Sequence, residues 1–397
     1  MSQPAKSLIF ILAAIITIGP LSVDLYLPAM PSMVDYFATS LSQVQLTLSS
    51  YLLGFAVFHL LCGPLSDRYG RKPVLVGGLL LYLVMSVCCA LATTVEQLVV
   101  WRFFQAMGAC CAPTLGRAVV RDVYPPHQAV SALAYVSSLM ALAPVVAPTL
   151  GGLLIMVGDW RLAFWVLAAA ALVAIGLTLF CVPESLPQKQ PLRLLSISRN
   201  YLRLLRHRVY IGSVLTSAFL YASVFAFLSG ASFVLIDFLG VNPAFFGAYF
   251  LAIVAGFIGG NLLTARMASR WQAAQVFRIS ITLGIAGALA LVAICLLQWY
   301  QPVLMVLPMF FVTLAIGLLL PQAMAQALQP FPEMAATASA LMGFVQMGCA
   351  GLAGWLVGLF LHDQPLPMAL VILGTCGCAA ISYQLLLRNA VSEAGTA

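Results

Sequence analysis

The chain has 397 residues, 63% of them hydrophobic and only 7% charged, with a formal net charge of +7. Apolar stretches run almost end to end, which excludes a soluble fold, because helices at a water surface need a polar face. The basic balance invites a nucleic-acid reading, but the placement of the charges excludes it.

A helix crossing the hydrocarbon core needs roughly 20 apolar residues. On that measure twelve spans are predicted, near 7–28, 43–63, 74–93, 97–119, 128–156, 161–182, 209–236, 243–264, 275–298, 302–328, 334–361 and 367–387. Helices are expected, since backbone groups in lipid must be satisfied within their own segment. The alternating ten-residue strands of a barrel do not appear. The expected fold class is all-α integral membrane, with twelve transmembrane helices in two six-helix halves. The apolar run after Lys6 is too long for a signal-peptide core, so the first span is expected to be retained. With the N-terminus placed in the cytoplasm, 15 of the 18 Lys and Arg fall on the cytoplasmic side. Only Arg161 falls outside, and Arg102 and Arg117 lie within a span. That is the positive-inside bias that orients membrane proteins.

Span one contains Asp24, in Pro20-Leu-Ser-Val-Asp-Leu-Tyr-Leu-Pro28. An ionisable group in a span is costly and marks a proton or substrate path by default. Lying four residues before Pro28, it is expected roughly 6 Å inside the outer end. Arg102 enters span four at a similar depth with the opposite charge. The two are expected to pair, since pairing lowers the cost of both. A coupling site and a purely structural pair both fit.

Between spans two and three stands Gly63-Pro-Leu-Ser-Asp-Arg-Tyr-Gly-Arg-Lys-Pro73. Gly63 and Gly70 allow a tight reversal. Asp67 is placed to accept from Arg71, with Arg68 and Lys72 beside them, and Asp122 at the cytoplasmic end of span four lies where it joins them. The cluster reads either as a conformational latch or as a turn carrying topogenic charges. Arg117, near the inner end of span four, is expected to brace the latch. His59 in span two reads as a proton relay or as a satisfied core histidine. In span five, Pro144, Pro148, Gly151 and Gly152 permit close helix packing.

The stretch from Pro183 to Arg208 is basic and separates the spans six and six. It gives three predicted units: 1–182, a linker at 183–208, and 209–397. Within the linker, Leu192 to Arg206 has the spacing of a short amphipathic helix on the inner leaflet. A degenerate basic loop, Arg266 to Arg270, follows the second span of the second half, as in repeat-built transporters. All ten cysteines sit in or at the ends of apolar spans, and Cys376-Gly-Cys378 lacks metal-site companions. Neither a metal nor a cofactor is expected. Candidates to line a central cavity are Tyr26, Gln45, Tyr51, Gln105, Tyr135, Ser138, Tyr221, Phe225, Tyr249, Asn261, Gln322, Gln326 and Gln346. Interhelical packing is the alternative role for each.

These segments carry a resemblance. Gly63, Leu65, Asp67, Arg68, Gly70, Arg71 and Lys72 resemble the hallmark loop of the major facilitator superfamily. Asp24-x-Tyr26-Leu27-Pro28-x-x-Pro31 is similar to the first-span pattern of its Bcr/CflA branch of proton-coupled drug exporters. Arg102-x-x-Gln105-x-x-Gly108 resembles the span-four motif tied to proton coupling. Ala143 to Gly152 resembles the span-five antiporter motif, with Ala147 where glycine is usual. Glu184-Ser-Leu-Pro187 is similar to the family's exit from span six. Some drug exporters have a second acid where Ile16 stands here.

The resemblance implies a major facilitator fold around a central cavity. It implies proton-coupled efflux of bicyclomycin- or chloramphenicol-like antibiotics by alternating access across the bacterial inner membrane, with both termini cytoplasmic. Asp24 and Arg102 are then the proton-coupling pair, and the 63–73 loop a latch packed near Glu333–Thr337. The implied partners are a small amphipathic substrate, protons and membrane lipid, with no nucleic acid, and the working unit is a monomer. A proton-coupled transporter of a metabolite, nucleoside or siderophore is the alternative on the same fold. An enzyme is not expected, because the four histidines are scattered and no His-Glu-x-x-His or nucleophile elbow occurs. A channel would show a repeated filter or a ring of charges, and neither is evident.

Overall fold

A computed structural model describes residues 6–125, 128, 132–133, 135–136, 140, 143–186, 194–267, 270–331, 334–361 and 364–387. All regular structure among them is helical. Eleven segments are long and apolar enough to cross a membrane: Ser7–Phe37, Leu41–Tyr69, Arg71–Ala90, Val95–Val123, Arg161–Cys181, Arg208–Phe238, Pro243–Met267, Ala273–Leu296, Pro302–Leu328, Ala335–Phe360 and Leu366–Leu387. The shorter apolar helix Ala143–Val157 takes the fifth place. Numbered in chain order with that helix included, these are spans one to twelve.

Helix starts follow local chemistry. The Ser40 hydroxyl accepts the N–H of Gln43, and the Thr94 hydroxyl that of Gln97, each satisfying a free donor of a first turn. Spans two and three are joined by Gly70 alone, at φ 111°, a conformation that favours glycine.

Span one departs from expectation. It does not end near residue 28 but continues to Phe37 as a broken crossing. Helix Ile18–Asp24 gives way to a short turn at Leu27–Ala29 and then to helix Met30–Phe37. Pro28 and Pro31 withhold backbone donors there, so the regular ladder is interrupted. Asp24 stands at the break, thirteen residues before Phe37. At 1.5 Å per residue that is roughly 20 Å from the far end, much deeper than the sequence suggests.

The two halves meet at the end opposite the basic loops. Gln45 of span two donates to the Ser229 carbonyl of span seven at 3.1 Å, and within the second half the Ser229 hydroxyl donates to the Gly354 carbonyl of span eleven at 3.2 Å. Gly152 of span five lies against the Pro243 carbonyl at the start of span eight, and Gly247 lies against Thr149. A Cβ at either glycine would collide with these neighbours. Spans two and eleven also touch nearer the basic end, where a Cβ on Gly343 would fall 2.7 Å from His59 Nε2. Between the halves in sequence, helix Leu194–Leu205 packs on the basic end with Leu204 buried, and Tyr201 donates to the Leu60 carbonyl at 3.1 Å.

Candidate functional site

The first cluster centres on Arg71. Its guanidinium contacts Asp67, one turn back, at 2.7 Å and Asp122 of span four at 3.2 Å, and it donates to the Ser66 hydroxyl. Arg68 lies over the Tyr69 ring, 5.2 Å from its centre. Two further residues, which sequence reading left as a family likeness, complete the cluster. Glu184, just past span six, accepts the backbone N–H of Arg71 at 3.0 Å and that of Lys72 at 3.2 Å. A carboxylate at a helix N-terminus satisfies free donors and matches the helix dipole. Ser185 donates to Asp122 at 3.1 Å, and Lys72 Nζ donates to the Leu179 carbonyl at 2.8 Å. Spans two, three, four and six are thus tied at one end. Arg117, expected to brace this cluster, makes no ion pair or hydrogen bond to it among the described residues. Glu333, expected nearby, lies outside the described residues. So does Ser138.

The second cluster is a cage around Arg102, which is fully buried. Arg102 and Asp24 do not form the expected ion pair. Both terminal nitrogens of Arg102 donate to the Ser22 carbonyl at 3.1 Å, and one also donates to Gln105 Oε1 at 2.7 Å. The guanidinium carbon sits 4.2 Å from the ring centres of both Tyr26 and Tyr51, with Phe164 at 5.7 Å. Aromatic faces attract a desolvated cation by up to about 2 kcal/mol or more. This cage replaces the counterion, because the break in span one turns the Ser22 carbonyl, rather than the Asp24 carboxylate, toward span four. Gln105 in turn donates to Ser86 at 2.7 Å, Tyr26 pairs with Thr47 at 3.3 Å, and Tyr51 donates to the Gly19 carbonyl at 3.3 Å.

Asp24 itself is 4% exposed. It makes no hydrogen bond or ion pair among the described residues. Gly151 of span five packs directly on the carbonyl of Leu25, the residue after it. The span-five motif therefore supports the break that carries the acid. Pro148, Gly151 and Gly152 are buried there, and Pro144 is half-buried.

The cargo-lining candidates separate. Tyr26, Tyr51 and Gln105 are committed to the Arg102 cage, and Gln45 to the seal between the halves, so these four do not face an open cavity. Phe225 is buried and lies 5.2 Å from the ring of half-buried Tyr221. Gln346 reaches Ser217 at 3.5 Å, and Asn261 donates to the Phe257 carbonyl at 3.0 Å. Tyr249, Gln322 and Gln326 are half-buried, and Tyr135 is exposed. His59 Nδ1 is 3.5 Å from Cys110 Sγ.

Twelve apolar helices among the described residues, a glycine turn flanked by charges at one end and a buried acid at a broken crossing fit a multi-pass membrane transporter. The chain matches the Major Facilitator Superfamily over residues 11–354, and it belongs to that superfamily. It is 30% identical over 400 residues to a bicyclomycin resistance protein homolog of Haemophilus influenzae, covering 99% of this chain and 100% of that one. It is 31% identical over 339 residues to a chloramphenicol resistance protein of Pseudomonas aeruginosa, covering 84% and 80%. Among solved structures, a peptide transporter of the POT type shares the fold at a TM-score of 0.79 and 15% identity, covering 98% of this chain and 96% of that one. The xylose transporter XylE of E. coli does so at 0.69 and 17%, covering 96% and 98%. These two likenesses concern the fold alone.

Proposed function

We propose that this protein exports small amphipathic antibiotics across the bacterial inner membrane in exchange for protons. It works as a monomer, with the basic end and both termini in the cytoplasm. The observation that carries the reading is Asp24: an acid nine-tenths buried in a span, without a counterion among the described residues, at a helix break. A charge held there is expensive, so binding a proton stabilises one arrangement of the break and losing it stabilises another. Cargo and proton then alternate in favouring the two access states, because a ligand shifts only an equilibrium whose states it binds unequally. Arg102, held by the Ser22 carbonyl two residues before Asp24, ties span four to the same backbone and transmits its movement. The Arg71 cluster acts as a latch that holds spans two, three, four and six together in one access state. The names of the relatives support antibiotics as cargo.

The test uses inverted membrane vesicles with an imposed acid-inside gradient and chloramphenicol as the added drug. The wild type dissipates the gradient on drug addition. Asp24→Asn inserts and folds but does not dissipate it. Normal drug-evoked proton movement in that variant sinks the proposal.

A further inference from the structure

The basic end also contains a cavity of about 290 Å³. It lies between the helix Leu194–Leu205, the start of span seven at Arg208 and the segment just after span ten. Among the described residues its walls are Arg203, Arg206, His207, Pro330 and Phe331. Three of those five side chains carry nitrogen donors, and none is an acid.

The donors are held in place. Phe331 is buried and forms an aromatic floor. The Arg203 guanidinium carbon lies over its ring, 5.7 Å from the centre, and the His207 ring meets it edge-on with centres 5.0 Å apart. A stacked arginine has already given up part of its rotamer freedom, so seating a ligand costs it less. The Arg206 amide donates to the Leu202 carbonyl at 3.2 Å, and the His207 amide to the Leu204 carbonyl at 3.0 Å. The helix therefore ends in a bonded turn at the cavity. His207 is also the N-cap residue of span seven, and its side chain caps no N–H of that first turn. A helix start with open donors favours an anion.

What carries the anion follows from the rest of the helix Leu194–Leu205. Residues three apart share a face. Leu202 and Leu205 fall on one face and are exposed. Arg203 and Arg206 fall on the neighbouring face and are exposed too, whereas Leu204 is buried on the far side. A helix lying in the membrane interface turns leucines to the acyl chains and arginines to the headgroups. Orienting the protein in the membrane needs charge near the span ends, but neither a cavity nor an aromatic floor.

We propose that this cavity binds the phosphate of an anionic lipid from the leaflet at the basic end. Arg203 and Arg206 donate to it, and Leu202 and Leu205 lie against the acyl chains. The planar fork of a guanidinium matches two phosphate oxygens at once. Tyr201 of the same helix donates to the Leu60 carbonyl of span two. A lipid seated in the cavity fastens this helix to the second half, while Tyr201 fastens it to the first.

The experiment is native mass spectrometry of the full-length protein, released from detergent with equal amounts of phosphatidylglycerol and phosphatidylcholine of the same chains. Salt near 0.15 M screens exposed charges beyond about 8 Å. The wild type is expected to retain phosphatidylglycerol about tenfold better, the size of a charge-assisted hydrogen bond. Arg203→Gln and Arg206→Gln each remove most of that preference. Arg199→Gln removes the same charge one turn earlier on the same helix, outside the cavity walls, and leaves the preference nearly intact. Phosphatidylcholine retention in each variant reports that the protein is folded. A wild type without preference overturns the proposal. Equal losses in all three variants overturn it too, since diffuse attraction to the basic helix would then suffice. Titration of inorganic phosphate into protein in phosphatidylcholine nanodiscs tests the other source of the same anion. Phosphate binding that needs Arg203, without any lipid preference, overturns the lipid assignment. Drug-evoked proton movement decides the export reading separately, and either reading can fall while the other stands.

Discussion

The carboxylate of Glu184 lies across the first turn of the helix that Arg71 opens, accepting the Arg71 amide at 3.0 Å. Span six thereby holds the start of span three through a residue outside both. The same carboxylate crowds Gly70, where a Cβ would fall 2.5 Å from Glu184 Oε2. The turn and its cap are one unit.

Replacing Glu184 with Ala is expected to weaken this end of the bundle by about 0.5–1 kcal/mol, the usual worth of an exposed charge at a helix N-terminus. Glu184→Gln retains part of it, since the amide oxygen still accepts. Thermal unfolding in detergent, followed by circular dichroism, distinguishes the two. Equal melting for all three proteins would show that the cap contributes nothing.

Gly70→Ala is expected to cost more, about 1–3 kcal/mol, because it meets both a strained backbone and the Glu184 carboxylate. Combining it with Glu184→Ala relieves the contact but not the strain. The double variant should therefore lose less than the sum of the single ones, and a double-mutant cycle reads this directly.

For the Arg102 cage, Tyr26→Phe keeps the ring face and loses only the bond to Thr47, whereas Tyr26→Leu removes the face. The expected losses are about 1 kcal/mol for the first and a further 0.5–2 kcal/mol or so for the second. Arg102→Lys keeps the charge but cannot place two nitrogens on the Ser22 carbonyl, so drug-evoked proton movement should fall steeply. Wild-type activity in the lysine variant would mean that the forked geometry is dispensable.

Gly151→Ala places a methyl group on the Leu25 carbonyl and must push span five from the break in span one. Overpacking of this kind costs about 1–3 kcal/mol. Transport should suffer more than expression, since the displaced element lies beside Asp24. Equal transport per molecule inserted would show that span five and the break move independently.

The span pattern was legible because the physics of lipid is severe: each long apolar run has to be a helix. The exceptions are instructive. Pro28 and Pro31 look like the end of a span, yet they break the crossing in its middle, where packing of span five against Leu25 shelters the freed backbone. The pairing of Asp24 with Arg102 was inferred from depth and sign. Depth along a helix says nothing about which way a side chain turns, and Arg102 turns to a carbonyl and two tyrosines from spans one and two. Glu184 was recognisable as an acid just beyond an apolar run. What it would cap was not, because its partner amides lie more than a hundred residues earlier. Arg117 was expected beside the same cluster, and no bond from it to that cluster is found among the described residues.

In the seal at the far end Gly152 rests on the Pro243 carbonyl and Gly247 on Thr149, beside the bond from Gln45 to Ser229. Where Gly152 meets backbone there is no side chain to disengage and no rotamer to reset. Parting that contact breaks few attractions, so it can act as a smooth bearing on which the halves separate and rejoin, with the Gln45 bond as a directional catch beside it.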